Sequence, residues 1–196
     1  AKEFIETLIK SDGSREDIKR KIENLNHPDL LWVEPLYTYQ GSYISKRQVE
    51  SENIITKAPP QIRLNQIKKI IEFLGKKPLE AEKGIVIIED IETMNESAAN
   101  ALLKTLEEPK EGLFILITSR LDKILETIRS RCQFIPFKRL NDDQVKKLIN
   151  ESVDIKDIAE MQNKNVLELI DFANGSPGLY IENFQYLLNI PSSIKD

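Results

Sequence analysis

The chain has 196 residues, of which 40% are hydrophobic and 31% are charged, so it is long enough and apolar enough to bury a core. A net charge of −4 and a pI near 5.3 argue against a protein whose whole surface binds nucleic acid. One cysteine and one histidine exclude an internal disulfide and a Cys/His zinc site, and no apolar run approaches the roughly 20 residues of a membrane span. We therefore expect a cytoplasmic protein with no metal site and no membrane partner.

The first residues predict two helices. One covers residues 1–9, and the other covers residues 14–25, with Ser14 as its cap and Ile18, Ile22 and Leu25 on one face. A turn at His27, which we expect to be a solvent-exposed or capping residue, ends the second helix.

A short strand and a hairpin follow. The apolar run 30–33 predicts a buried strand that contains Trp32 as a core residue, and residues 37–44 predict a hairpin around Gly41. The polar segment 45–60 has no clear periodicity. We expect it to be an irregular surface insertion.

The middle of the chain predicts a crossover unit. Residues 62–74 have amphipathic helical spacing, and residues 84–90 form a strand with four consecutive branched apolar residues, the pattern of a strand covered on both faces. A helix at 96–107 with Asn95 as its cap precedes a second apolar strand at 113–117. The order strand, helix, strand predicts an α/β fold with a parallel sheet.

The character of the sequence changes after residue 140. A short helix at 121–127 and a short strand at 133–136 end the first domain, which we expect to span residues 1–140. The domain 141–196 is predicted to be small and all-helical, with helices at 141–151, 155–161, 166–173 and 179–188.

Two acidic residues, Glu89 and Asp90, follow the first buried strand of the crossover unit. In open α/β sheets, ligands bind beyond the carboxyl ends of the strands, so these carboxylates could hold magnesium or orient a water. By themselves they are more typical of a solvated acidic pair after a buried strand.

The residues around this pair carry a resemblance to a known family. The string from Met94 to Pro109 closely resembles the segment after the Walker B strand in clamp-loader subunits. Arg129 to Cys132 resembles the Ser-Arg-Cys signature of that family, and Asn174 to Gly178 resembles the start of its sensor 2 helix. The match runs from about residue 27 to about residue 188.

Within this family, residues 58–63 and the tail 78–80 resemble the delta-prime branch of the bacterial DNA polymerase III clamp loader, and the insertion 36–57 resembles its cyanobacterial form. The resemblance implies an AAA+ (P-loop NTPase-like) domain followed by a small helical lid. We expect the first domain to be incomplete at its N-terminus and the collar domain of the family to be missing.

The resemblance also implies roles for individual residues. Arg131 would be an arginine finger, acting in trans on nucleotide held by a neighbouring subunit, with Ser130 and Cys132 as its motif neighbours. A guanidinium suits this role because it is always charged and can donate two hydrogen bonds at once to phosphate oxygens. Without the family, Arg129 and Arg131 are cations that favour a helix C-terminus, and Cys132 is a packed residue at the start of a strand.

A phosphate loop is missing from these 196 residues. The nearest candidate, Gly75 followed by Lys76, lacks the first glycine and the hydroxyl residue and follows a helix instead of a strand. Compared with the family pattern, Glu89 and Asp90 form a degenerate Walker B pair and Gly178 replaces the sensor 2 arginine, while Thr118 fits the sensor 1 position. These residues would bind nucleotide weakly or only as a vestige.

We therefore expect a component of a DNA polymerase complex that has no ATPase activity and no cofactor of its own. ATP and magnesium would be held by neighbouring subunits. The expected partners are an ATPase subunit and the delta subunit, with the sliding clamp and primed DNA reached through the complex.

Two alternatives stay open. The chain could belong to an active loader ATPase or branch-migration motor whose phosphate loop lies outside these residues. It could also bind nucleic acid through a basic middle segment, whose cations are Lys46, Arg47, Lys57, Arg63, Lys68, Lys69, Lys76 and Lys77.

Overall fold

A computed structural model describes residues 15–107, 112–151 and 169–189. The chain divides into two compact units, Ala1–Phe134 and Ile135–Asp196. The predicted helices at 1–9 and 155–161 lie outside the described residues. In the part of the chain that is described, no helix combines the length and the apolar character needed to cross a membrane.

The first described helix, α1, is Arg15–Glu23, in agreement with the prediction. Its Ile18 and Ile22 are buried, whereas Leu25 lies beyond the helix with φ 55° and is 48% exposed. Placing Leu25 on the buried face was therefore wrong, because the chain leaves the helix before reaching it.

The next elements are strand β1 (Leu30–Val33) and the predicted hairpin, formed by β2 (Tyr37–Tyr39) and β3 (Ser42–Ile44). Gln40 and Gly41 make the turn with φ values of 48° and 79°. Two residues with positive φ form the turn that suits the twist of a two-residue hairpin, and glycine adopts such values at little steric cost.

The segment after the hairpin is not irregular as predicted, because it contains helix α2 (Lys46–Ser51). The Ser45 hydroxyl accepts the Gln48 N–H, and the Gln48 side chain accepts the Ser45 N–H. This reciprocal capping box satisfies two helix-end donors and explains why a short polar segment becomes helical.

The crossover unit is present as predicted. Helix α3 (Leu64–Leu74), strand β4 (Gly84–Ile88), helix α4 (Glu96–Glu107) and strand β5 (Gly112–Leu116) follow in order. Helix α3 starts two residues later than predicted because Ile62 forms a parallel bridge with Met94.

The three long strands form a parallel sheet in the order β1-β4-β5, which confirms the predicted α/β class. All five residues of β4 are buried, so apolar layers cover both faces of the central strand. On one face, Ile18 and Ile22 of α1 pack with Ile85 and Ile87. On the other, helices α3 and α4 contribute Ile67, Ile70, Leu74, Ala98, Ala99 and Leu102 to a core that includes Val86 and Ile88.

The connection after β5 differs from the prediction. A 3-10 turn at Leu121–Lys123 and a short helix, α5 (Glu126–Arg129), replace a single helix. The predicted strand at 133–136 is wrong, because these residues have no ladder partner among the described residues and Phe134 is 63% exposed. An apolar run forms a strand only when a neighbour supplies its hydrogen bonds.

The regular elements in the described part of the second unit are all helices, α6 (Asp142–Glu151), α7 (Leu169–Ala173) and α8 (Pro177–Asn189). Asn141 and Gln144 form a capping box at the start of α6. The core consists of Val145, Ile170, Ala173, Tyr180 and Phe184, with Leu140 packed against it. The predicted domain limits, 1–140 and 141–196, stay a prediction.

Candidate functional site

The carboxyl ends of β1 and β4 lie side by side and carry acidic residues. The backbone N–H of Glu89, which follows β4, donates to the Val33 carbonyl at the end of β1 at 2.9 Å. Glu34 follows Val33, and burial, followed by the negative charge of Glu89, raises the pKa of the Glu34 carboxyl. The positive charge of Lys46 offsets part of this rise in pKa, so the edge carries charges of both signs.

Asp90 continues this edge and is exposed, with a left-handed backbone at φ 44°. Asp and Asn adopt this conformation more readily than other non-glycine residues, which makes Asp90 suitable for the sharp turn after β4. The structure therefore brings Glu89 and Asp90 to the predicted edge, where Asp90 also has a structural task. Within the described residues, no cluster of His, Cys, Asp and Glu is arranged to hold a metal ion.

Thr118 lies beside this edge because β5 pairs with β4. The N–H of Ile117 donates to the Ile88 carbonyl at 2.9 Å, and the N–H of Ile91 donates to the Ile117 carbonyl at 3.1 Å. The Thr118 hydroxyl donates to Glu92 Oε2 at 2.7 Å, so its proton is already engaged within the chain.

Glu92 is a residue at the carboxyl edge of the sheet that sequence reasoning missed. The Ser119 hydroxyl donates to its second oxygen at 3.0 Å. Burial tends to raise the pKa of Glu92, but hydrogen bonds from its own backbone N–H, Thr118 and Ser119 outweigh burial and lower it. Glu92 is therefore an ionised acceptor that fixes Thr118, and the signal for it was only its position four residues after β4.

Arg131 lies two residues beyond the end of α5. Its Nη1 donates to the Thr127 carbonyl at 2.8 Å, and its Nη2 donates to Glu107 Oε1, at the end of α4, at 2.6 Å. The guanidinium is thus oriented from two sides while its side chain stays 35% exposed. These bonds use only part of its donor set, so an oriented cation remains available at the surface.

The neighbours of Arg131 have structural contacts. The Ser130 hydroxyl donates to the Thr127 carbonyl at 3.1 Å. Cys132 is half-buried against the core of the first unit, and burial raises the pKa of its thiol, which favours the unreactive protonated form. The prediction that Cys132 begins a strand is wrong, whereas the prediction that its side chain is packed is confirmed.

His27 is not solvent-exposed as predicted, since only 2% of its surface is accessible. Its Nδ1 accepts the Asp29 N–H at 3.2 Å, and Asp29 in turn accepts the backbone N–H groups of Leu79, Glu80 and Ala81 at 2.6–2.7 Å. Both residues precede β1, at the amino end of the sheet. They fasten a loop and are not part of the carboxyl edge that carries Glu89 and Thr118.

A family model described as "DNA polymerase III, delta subunit" matches residues 1–141 of the chain. The delta-prime subunit of DNA polymerase III from Bacillus subtilis (strain 168) is 34% identical over 159 residues, which are 79% of this chain and 41% of the relative. The delta-prime subunit from Pseudomonas aeruginosa is 38% identical over 76 residues, which are 38% of this chain and 23% of the relative.

The gamma subunit of DNA polymerase III from Buchnera aphidicola subsp. Acyrthosiphon pisum is 31% identical over 98 residues, 47% of this chain and 27% of the relative. The chain thus spans less than half the length of these relatives. Among solved structures, the RuvB Holliday junction branch migration motor of Thermotoga maritima has a TM-score of 0.52 at 12% identity, covering 94% of this chain and 54% of that one. This likeness shows a shared α/β fold.

The family match covers more than half of the chain, and delta-prime subunits are among its similar relatives. The chain therefore belongs to the DNA polymerase III delta subunit family, in the delta-prime branch of the clamp-loader subunits.

Proposed function

We propose that the chain acts in the loading of the sliding clamp onto primed DNA, as a subunit that supplies Arg131 in trans to the nucleotide site of a neighbouring ATPase subunit. The neighbour would hold ATP and magnesium, and the delta subunit would be a further partner. The observation that carries the proposal is the surface guanidinium of Arg131, oriented by Thr127 and Glu107.

An arginine finger acts by stabilising the charge that develops on the transferred phosphoryl group. Arg131 fits this task because it is positioned before a partner binds, so less side-chain freedom is lost on docking. The Glu107 contact is exposed, and an exposed ion pair contributes on the order of 0–1 kcal/mol, so a phosphate group can replace it at small cost.

We also propose that this chain does not itself hydrolyse ATP. Residues at the carboxyl edge of the sheet support this proposal. The Thr118 hydroxyl is committed to Glu92, and Glu89 and Asp90 stand in the reverse of the Asp–Glu order of hydrolysing relatives. These features disfavour the alternative of an active ATPase. The resemblance of the insertion to the cyanobacterial form stays a prediction.

The test is ATP turnover by a reconstituted loader that contains the full-length protein and primed DNA. We expect Arg131→Ala to lower turnover by roughly tenfold or more, because the group that stabilises the transition state is removed. Arg131→Lys, which keeps the charge but not the planar pair of donors, should recover only part of the rate.

The matched control is Arg129→Ala, which removes an exposed arginine at the end of the same helix. All variants must first assemble to the same extent. Unchanged turnover in an assembled Arg131→Ala complex, or an equal loss in both arginine variants, would contradict the role of Arg131 in trans.

A further inference from the structure

Hydrogen bonds tie the hairpin β2–β3, which the sequence predicted, to the rest of the first unit. Leu36 and Gln61 exchange two backbone hydrogen bonds of 3.1 Å at its base. Arg63 then reaches across the hairpin, and its Nη2 donates to the Thr38 hydroxyl at 2.7 Å. The hairpin is thus a firm platform and not a freely moving loop.

An aromatic ring is presented on this platform. Thr38 pairs with Tyr43, so both side chains lie on the same face of the hairpin, where Arg63 meets them. The guanidinium carbon of Arg63 lies 4.4 Å from the centroid of the Tyr43 ring. Tyr43 is nevertheless 53% exposed, so much of a ring already held by a cation is open to a ligand.

The segment that contains the hairpin is cationic, in contrast to the chain as a whole. Between residues 37 and 63 there are four cations and two carboxylates, a net charge of +2, whereas the whole chain carries −4. The cations are Lys46, Arg47, Lys57 and Arg63, and the carboxylates are Glu50 and Glu52. Arg47 and Lys57 are exposed and form no ion pair with another described residue.

We propose that the hairpin face that carries Tyr43 and Arg63, together with the exposed cations Arg47 and Lys57 of the segment that follows it, binds a single-stranded polynucleotide. A base would stack on the exposed ring of Tyr43, and the cations of this segment would contact phosphates. An aromatic platform next to cations is the combination that binds single strands without reading their sequence. Of the eight cations in the basic middle segment, the proposal uses only those in or near the hairpin. It does not depend on the role proposed for Arg131.

The test is fluorescence anisotropy of the whole chain with labelled oligodeoxythymidine and, in a second arm, oligouridine, across a range of salt concentrations. We expect Tyr43→Ala to raise the Kd roughly 5- to 100-fold and Tyr43→Phe to leave it nearly unchanged, because phenylalanine keeps the stacking surface. Arg47→Ala with Lys57→Ala should lower the slope of log K against log salt by about 0.7 for each phosphate group that the variant no longer neutralises.

The matched control is Lys76→Ala with Lys77→Ala, the same change in charge beyond the far end of α3. That helix has 11 residues and is therefore about 16 Å long. The arm with the tighter binding identifies DNA or RNA as the ligand. Circular dichroism establishes that each variant is folded.

The proposal is overturned if neither oligonucleotide binds, if Tyr43→Ala binds as tightly as the wild type, or if the control pair weakens binding as much as the hairpin pair. It is also overturned if oligonucleotides do not bind while Tyr43→Ala prevents assembly of the loader. In that case the face is a protein interface.

Discussion

At the scale of single residues, the most demanding contacts are those of Asp29. Its buried carboxylate accepts three consecutive backbone N–H groups, from Leu79, Glu80 and Ala81. Burial opposes ionisation, but the three hydrogen bonds and the nearby His27 outweigh burial, so the pKa of Asp29 lies below its usual value of 3.8. The charge of Asp29 therefore stabilises the fold.

We expect Asp29→Asn to lower the free energy of unfolding by about 2–4 kcal/mol at neutral pH. The NH2 group of the new amide would face backbone N–H groups that the carboxylate accepts in the wild type. The Asp29 contribution is present above the unfolded-state pKa and is lost as pH falls through the lower folded-state pKa. Urea unfolding between neutral pH and pH 3 would show a decline in the wild type that the variant lacks.

The control for this change is Asp17→Asn, because Asp17 is an exposed carboxylate that pairs with Arg20 on the surface of α1. Its effect should stay within about 0.5 kcal/mol. Equal stability of Asp29→Asn and Asp17→Asn would show that the three backbone hydrogen bonds contribute little.

Sequence reasoning could not have found the contacts of Asp29 or the contact between Arg131 and Glu107. Asp29 lies about 50 residues from its partners, and Glu107 lies 24 residues before Arg131. Neither spacing leaves a periodic signal, and a lone His27 next to a proline is typical of a surface turn. By contrast, the residues of the motif around Arg131 are contiguous in the chain, so the motif could be recognised, while the role of Arg131 in trans stays a prediction.

At the scale of elements, the connection between α7 and α8 depends on a glycine. Gly175 has φ 71°, and a Cβ at this position would collide with the carbonyl oxygen of Leu140. The backbone N–H of Leu140 donates to the Gly175 carbonyl at 2.9 Å, which holds the two backbone segments close together. Both the backbone conformation and the close approach therefore require a residue without a side chain.

We expect Gly175→Ala to destabilise the second unit by more than about 1 kcal/mol, since backbone atoms must move to admit the methyl group. Gly178→Ala is the matched control, because its Cβ would meet nothing closer than the Ser176 hydroxyl at 3.8 Å and alanine favours the helix. Gly178→Ala should be neutral or stabilising by up to about 1 kcal/mol. Hydrogen exchange of α6 and α8 separates the two outcomes, and similar protection in both variants would contradict the expected strain.

The elements themselves were largely predictable where their pattern is long and locally consistent. Strand β4 and helix α4 agree with the prediction. Both signals come from residues that are adjacent in the chain: the consecutive apolar residues of β4, and the cap Asn95 directly before α4. Helix α2 was missed because its capping box carries the signal and its residues are polar. The strand at 133–136 was wrong because pairing depends on other segments and not on the run itself.

At the scale of the whole molecule, the proposal that the chain does not hydrolyse ATP can be tested through nucleotide binding. Burial and Glu89 raise the pKa of Glu34 at the carboxyl edge of the sheet, and Lys46 opposes that rise. Glu92 accepts the Thr118 hydroxyl, and these 196 residues contain no glycine-rich phosphate loop. A ligand at about 100 times its Kd stabilises a fold by about 2.7 kcal/mol, which raises the Tm of a domain of this size by roughly 5–10 °C.

We therefore expect millimolar magnesium-ATP to leave the Tm of this chain unchanged in a thermal melt. Magnesium sulfate at the same ionic strength is the control, since it reproduces the effect of salt on the surface charges without offering a nucleotide. A Tm that rises and saturates with ATP, but not with sulfate, would contradict this expectation and show that the chain binds ATP. Turnover measured on the same chain would then separate a vestigial nucleotide site from the active-ATPase alternative.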